Sequence, residues 1–120
     1  MYEKLELLIN GQFRQGSEGK SEPVYNPATG EVLGEVPHAS KADLDEALAA
    51  SEKAYKIWRG QTALSRQKVL EKACRILEDR FDEVAENLTK EMGKPLTEAK
   101  IELGVAIDVI RWYGEEGKRI

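Results

Sequence analysis

With one cysteine and one histidine, this chain can support only a narrow range of side-chain chemistry. Cys74 sits between Ala73 and Arg75, beside an apolar stripe of helical period. A nucleophilic thiolate needs partial exposure and a cation or helix N-terminus next to it. A free cysteine on an apolar stripe packs as a small hydrophobe instead, so Cys74 reads as a core residue. His38 stands in a linker, and a single histidine gives no Ser-His or Cys-His constellation to build on. The ten glycines form neither G-x-G-x-x-G nor G-x-x-x-x-G-K-S/T, so no phosphate-cradling loop is written here. Gly114 and Gly117 share part of that spacing but follow a helix rather than a strand. Trp58, Trp112 and Tyr113 lie at helical core spacing and read as packing anchors, not as a stacking platform for bases or sugars. Glu91, just before Gly93 at a helix end, opposes the helix dipole. It has a partner there, a lysine or a cation, or it is a solvated surface charge. By side-chain chemistry alone no reaction is assembled.

The elements that would carry these residues fall into two kinds. Through residue 37 the pattern is β. Leu5, Leu7 and Ile9 alternate with Glu6 and Leu8, Asn10-Gly11 supplies a tight hairpin turn, and Phe13 continues the return strand. Residues 15–22 are polar and glycine-rich, which predicts a surface loop. Val24 and Tyr25 lead into a second turn, Asn26-Pro27-Ala28-Thr29-Gly30, with Val32, Leu33 and Val36 returning and Pro37 ending the strand.

From Ser40 the period becomes helical. Ser40 and Asp43 form a capping box with the shorter acid, and Leu44, Ala47, Leu48, Ser51, Ala54, Tyr55 and Trp58 trace one stripe up to Gly60. A second helix starts near Thr62 and is expected to bury Val69, Leu70, Ala73, Ile76 and Leu77. The register changes around Asp79–Phe81, where Phe81, Val84, Leu88 and Met92 take over until Gly93. Lys94-Pro95 then opens a last helix. At 100° per residue its apolar positions (Ile101, Val105 and Trp112, then Leu103, Ala106, Val109, Ile110 and Tyr113) cover about 200° of the cylinder. A surface helix needs a stripe about half as wide. Such a helix requires neighbours on two sides. The preceding helices supply one, and the other is expected from polypeptide beyond Ile120.

Composition narrows the class. A chain of 120 residues, 41% hydrophobic and 33% charged, holds one domain or part of one. A net charge of −4 argues against a nucleic-acid binder, which needs a basic face. No apolar run is long enough to span a membrane. The opening Met1–Tyr2–Glu3–Lys4–Leu5 lacks the pattern of a signal peptide. One cysteine excludes an internal disulfide and multi-cysteine zinc sites. A cytoplasmic, mildly acidic chain is expected, α+β in class, with a β-hairpin region at 1–37 and three to four α-helices at 38–120.

The order of short motifs carries more. Ile9-Asn10-Gly11-Gln12-Phe13, then Tyr25-Asn26-Pro27-Ala28-Thr29-Gly30-Glu31-Val32, resembles the opening of NAD(P)-dependent aldehyde dehydrogenases. So do Trp58 followed by Ser65-Arg66, Glu91-Met92-Gly93-Lys94-Pro95 with Glu98-Ala99, and Asp108-Val109-Ile110-Arg111-Trp112-Tyr113. The flavour is that of the succinate-semialdehyde and broad aliphatic or aromatic aldehyde branches. The resemblance implies that this chain is the N-terminal fragment of a larger α/β enzyme, within its coenzyme-binding domain. In that family a cysteine thiolate adds to the aldehyde, hydride passes to NAD or NADP, and a glutamate activates water to release the acid. An asparagine side chain and a backbone amide hold the oxyanion. The motifs for these catalytic and cofactor-binding groups would follow Ile120, and Cys74 matches none of them. The chain alone is therefore expected to be inactive and to bind no cofactor.

Two kinds of position carry over from the resemblance. Glu91 and the backbone carbonyl of Val24 or Tyr25 correspond to ligands of a monovalent cation. Ile101 and Val105 correspond to residues lining the substrate tunnel, although packing against a missing domain explains the same apolar arc. The implied partners are the remainder of the enzyme chain and, through the apolar face of the last helix, a second copy. The competing reading is a stand-alone helical protein-interaction module whose last helix docks another protein.

Overall fold

A computed structural model describes residues 5–119. The expectations resting on Met1–Lys4 and Ile120 fall outside that range. Two compact units are formed, Met1–Arg59 and Gly60–Ile120.

In the first unit, β1 (Leu7–Ile9) pairs antiparallel with β2 (Gln12–Arg14), Leu8 opposite Phe13. Asn10 and Gly11 take φ of 51° and 76°. A two-residue turn whose twist matches that of its strands requires positive φ at both positions. A second antiparallel hairpin joins β3 (Ser21–Tyr25) to β4 (Val32–Pro37), with an irregularity at Val24/Tyr25. Its turn is tied by the Gly30 amide donating to the Asn26 carbonyl (2.8 Å) and the Ala28 amide to Asn26 Oδ1 (2.9 Å). The polar stretch expected to be a loop as far as residue 22 ends at Lys20 instead. Ser21 and Glu22 pair opposite Pro37 and Val36, so the length of β4, not local polarity, decides where β3 begins.

Helix α1 (Lys41–Arg59) opens with the expected reciprocal cap. The Asp43 amide donates to Ser40 Oγ (3.1 Å), and the Ser40 amide donates to the Asp43 carboxylate (2.9 Å). That carboxylate is 2% exposed and also accepts from the Ser17 amide (2.9 Å), the Ser17 hydroxyl (3.0 Å) and Arg14 Nη2 (3.1 Å). The Ser17 amide first, then the Ser40 amide, hold its protonation far below the usual carboxylate range. Beside this knot a Cβ on Gly16 would stand 1.9 Å from the His38 carbonyl oxygen, so only glycine fits. The α1 stripe does not become core: Leu44, Leu48, Tyr55 and Trp58 are exposed. The three-residue strand β1 is the element of this unit that packs on α1, and it is too short to cover a 19-residue helix.

The second unit holds α2 (Ala63–Asp79), α3 (Phe81–Met92) and α4 (Leu96–Glu116). Thr62 caps α2, its Oγ1 accepting from the Ser65 amide (3.1 Å). Gly93 closes α3 at φ 74°, its amide donating to the Thr89 carbonyl (2.8 Å), and Pro95 leads into α4. The core comprises Cys74, Ala85, Ala99, Leu103 and Ile107, with Leu77, Phe81, Val84, Leu88 and Ile110 packed around it. Of the five residues expected to be buried on α2, Leu70 and Leu77 turn inward, together with Cys74, while Val69, Ala73 and Ile76 are exposed. Both stripes are apolar and adjacent on the cylinder, and the seat of α4 selects between them. Gly114 is buried where α4 meets α2, and a Cβ there would lie in ordinary contact, 3.6 Å, with the Leu70 side chain.

Polar contacts flank this seat. Arg111 Nε donates to Glu71 (3.2 Å), Arg111 Nη2 to Glu78 (2.8 Å) and Gln67 to Glu115 (2.9 Å), tying α4 to α2. Lys100 pairs with Asp82 on α3 at 2.8 Å. Arg111, then Arg75, lower the Glu71 carboxyl below its ordinary range.

Two predictions follow from this packing. Ile107→Ala removes a side chain 4% exposed and should destabilise the protein by about 2–5 kcal/mol, whereas Val105→Ala, at 56% exposure on the same helix, should stay within about 0.5 kcal/mol. Urea denaturation followed by circular dichroism measures both. Because the folded-state pKa of Glu71 is depressed, its stabilisation is present above the unfolded value near 4 and is lost as pH falls through the folded value. Denaturation midpoints measured at falling pH in that acid range should therefore drop less steeply for Glu71→Gln than for the parent chain.

Candidate functional site

Positions three and four apart on a helix share a face, and on α4 this rule gathers Ile101, Val105, Val109 and Trp112 on the side away from the core. Ile101 is 61% exposed, and Val109, Trp112 and Tyr113 are exposed with it. Val105, Asp108, Val109, Trp112 and Tyr113 line a shallow depression of about 430 Å³. Its aromatic pair meets edge to face, ring centroids 4.9 Å apart. The surface offers an apolar wall with one carboxylate, Asp108, and no nucleophile or base aimed across it. It can bind or guide an apolar group and exclude water, but it has no group placed to react.

The other residues singled out by sequence lie elsewhere. Glu91 is exposed in the last turn of α3, in the second unit. Val24, half-buried, and Tyr25, exposed, flank the irregularity in β3 of the first unit. Cys74 is wholly buried, its thiol directed at the Ile107 carbonyl oxygen (3.6 Å). His38 is exposed, with Nε2 3.4 Å from the Glu22 carboxylate. Among the described residues no three His, Cys, Asp or Glu side chains group to hold a metal ion. The displaced protonation of Asp43, Glu71, Glu83 and Arg111 traces to structural partners within each unit. For Arg111 the first is the hydrogen bond it donates to Glu78, and for Glu83 the hydrogen bond it accepts from Arg80.

Sequence reasoning passed over two residues that position this surface. Ile107 continues the spacing Ala99–Leu103–Ile107 on the buried face, a four-residue step that was there to be read. Arg111, which does not belong to the apolar arc of α4, bridges two acids of α2 seven residues apart. A single-helix pattern carries no signal for that contact.

Comparison with known proteins identifies the frame in which this surface sits. The aldehyde dehydrogenase family model matches residues 13–120. Glutarate-semialdehyde dehydrogenase of Pseudomonas putida is 41% identical over 96% of this chain and 24% of its own length. Succinate-semialdehyde dehydrogenase (NADP(+)) of Escherichia coli is 38% identical over the same shares. The crystal structure of an aldehyde dehydrogenase from Brucella melitensis biovar abortus superposes with a TM-score of 0.96 at 39% identity, over 99% of this chain and 25% of that one. The chain thus spans about a quarter of the length of the relatives it matches. These matches do not favour the stand-alone interaction module. With the motif order, the four helices and two hairpins all agreeing, the chain belongs to the aldehyde dehydrogenase family.

Proposed function

We propose that this chain is part of an enzyme that oxidises an aldehyde to a carboxylic acid with NAD or NADP, and that its own contribution is scaffold plus one wall of the substrate entrance. The observation that carries the second half is the outward apolar face of α4, where Ile101 and Val105 stand one turn apart and exposed. They would guide the aldehyde's hydrocarbon part and keep water from it.

Among the described residues no glycine turn has the form of a dinucleotide-binding loop. The positive-φ glycines, Gly11, Gly19, Gly30 and Gly93, occupy two hairpin turns, a loop and a helix end, and none follows a strand and opens a helix. The groups that bind NAD(P) and carry the reaction belong to other parts of the proposed enzyme. Glu91 remains a candidate carboxylate ligand for a monovalent cation. Among the described residues it has no ion-pair partner, and its place in the last turn of α3 disfavours an uncompensated negative charge. A cytoplasmic setting agrees with a lone, unpaired cysteine.

Replacing the matching quarter of the Pseudomonas putida glutarate-semialdehyde dehydrogenase with residues 1–120 should yield an enzyme that reduces NAD or NADP in the presence of an aldehyde, read in the reduced-nicotinamide absorbance band. The 120-residue chain alone should give no such rise. Turnover by the chain alone would refute the reading, and so would a folded graft that binds the dinucleotide without turning over.

Kept by itself in water, the same face should drive self-association, because contiguous exposed apolar surface of this kind seeks cover. Light scattering should report oligomers that Val105→Asp dissolves, and a strictly monomeric parent chain would contradict the expectation.

A further inference from the structure

The apolar arc of α4 leaves its orientation under-determined by hydrophobic burial. Leu103 and Ile107 face the core, but Ala106, Val109 and Tyr113 form a neighbouring apolar stripe interrupted only by Glu102, with Ile101 and Val105 beyond it on the far side. Burial is non-directional, so a turn of α4 by about one residue, roughly 100°, would still present an apolar stripe to α2 and α3. Directional contacts must break this near-degeneracy. Arg111 makes the pair suited to do so: Nε to Glu71 at 3.2 Å and Nη2 to Glu78 at 2.8 Å. Those two acids lie two turns apart on α2, about 10 Å along its axis. A planar guanidinium that spans them opposes both rotation and sliding of α4. Arg75, paired with Glu71 at 3.2 Å, steadies one end. Lysine, a point charge on a flexible stem, cannot make both contacts in a fixed plane.

We infer that Arg111 is a positioning residue: through Glu71 and Glu78 it locks the rotation of α4 and so decides that Ile101 and Val105 form the substrate wall. The inference rests on the reading of these two residues as that wall, and the test separates the two ideas. In the grafted enzyme, kcat/KM is measured for a short and a long linear aldehyde with Val105→Ala, Arg111→Met, Arg111→Lys and the pair Glu71→Gln/Glu78→Gln. Native-state labelling of Cys74, buried against α4, reports whether that helix has moved.

Val105→Ala should change the long-to-short ratio by about tenfold, the order of one methylene contact. Arg111→Met and the double Gln variant should also change it several-fold and speed Cys74 labelling, with Arg111→Lys recovering part of the loss. If Val105→Ala shifts the ratio while Arg111→Met and the double Gln variant leave it at the parent value, or leave Cys74 as protected as before, the positioning role is overturned and the wall stands. If Val105→Ala leaves the ratio unchanged, the wall reading fails and the inference fails with it. Should Arg111→Met not fold, the double Gln variant, which keeps the arginine stem packed, decides between the same outcomes.

Discussion

Leu103 and Ile107 of α4, packed with Cys74 of α2 and Ala85 of α3, make three helices into one unit. Removing that contact leaves α2 and α3 with only a short mutual interface, because their apolar stripes both point at α4. The choice of Leu70, Cys74 and Leu77 over Val69, Ala73 and Ile76 on α2 is one consequence. The seat of buried Gly114 is another, since a Cβ there would stand in ordinary contact, 3.6 Å, with the Leu70 side chain. The outward display of Ile101 and Val105 is the third, and the proposed function depends on it. Packing, helix orientation and the candidate surface are therefore one fact seen at three levels.

The first unit solves its folding problem by other means. Ile9 is its buried hydrophobic side chain, and its hairpins are too small to bury the face of α1. Order there is concentrated at Asp43, whose carboxylate collects donors from Ser17, Ser40 and Arg14 while capping the helix. A buried carboxylate with this many partners is well compensated, whereas one stripped of them would be expensive. Polar closure of this sort ties the loop after β2 to the start of α1 without needing an apolar core. It also explains the glycine at position 16, where the loop passes against the His38 carbonyl.

How far the sequence could be read tracks how local each signal is. The Asn10-Gly11 turn, the Ser40/Asp43 cap, the Thr62 start, the break near Arg80 and the Gly93 stop were all legible, because each depends on residues within four positions. The width of the apolar arc on α4 was legible for the same reason; α2 and α3 cover one side of it, and Ile101, Val105 and Val109 on the other stay exposed. Hidden from the sequence were the facts that need a partner element. Which of two adjacent stripes on α2 turns inward, how far β3 extends, and what Asp43 and Arg111 reach are set by contacts at about 14 to 40 residues' separation. The exposed stripe of α1 belongs here too, since amphipathic spacing marks a face without saying what covers it.

The distribution of charge on α4 bears on whether its outer face is packed away or borders a path. At 100° per residue, Glu98 and Asp108 fall on the same side as Ile101 and Val105. The two apolar residues are thus bracketed along the helix by carboxylates. A face destined for complete burial in a protein interior would leave those acids needing partners, at the high cost of a desolvated charge. Asp108 also lines the depression beside Trp112, whose indole N–H needs an acceptor if covered. An apolar pair one turn apart with an acid on either side of it along the helix suits a surface that is dry in the middle and wet at its margins. That pattern supports an entrance wall over plain packing, because an entrance must shed water from its throat while its rim stays solvated.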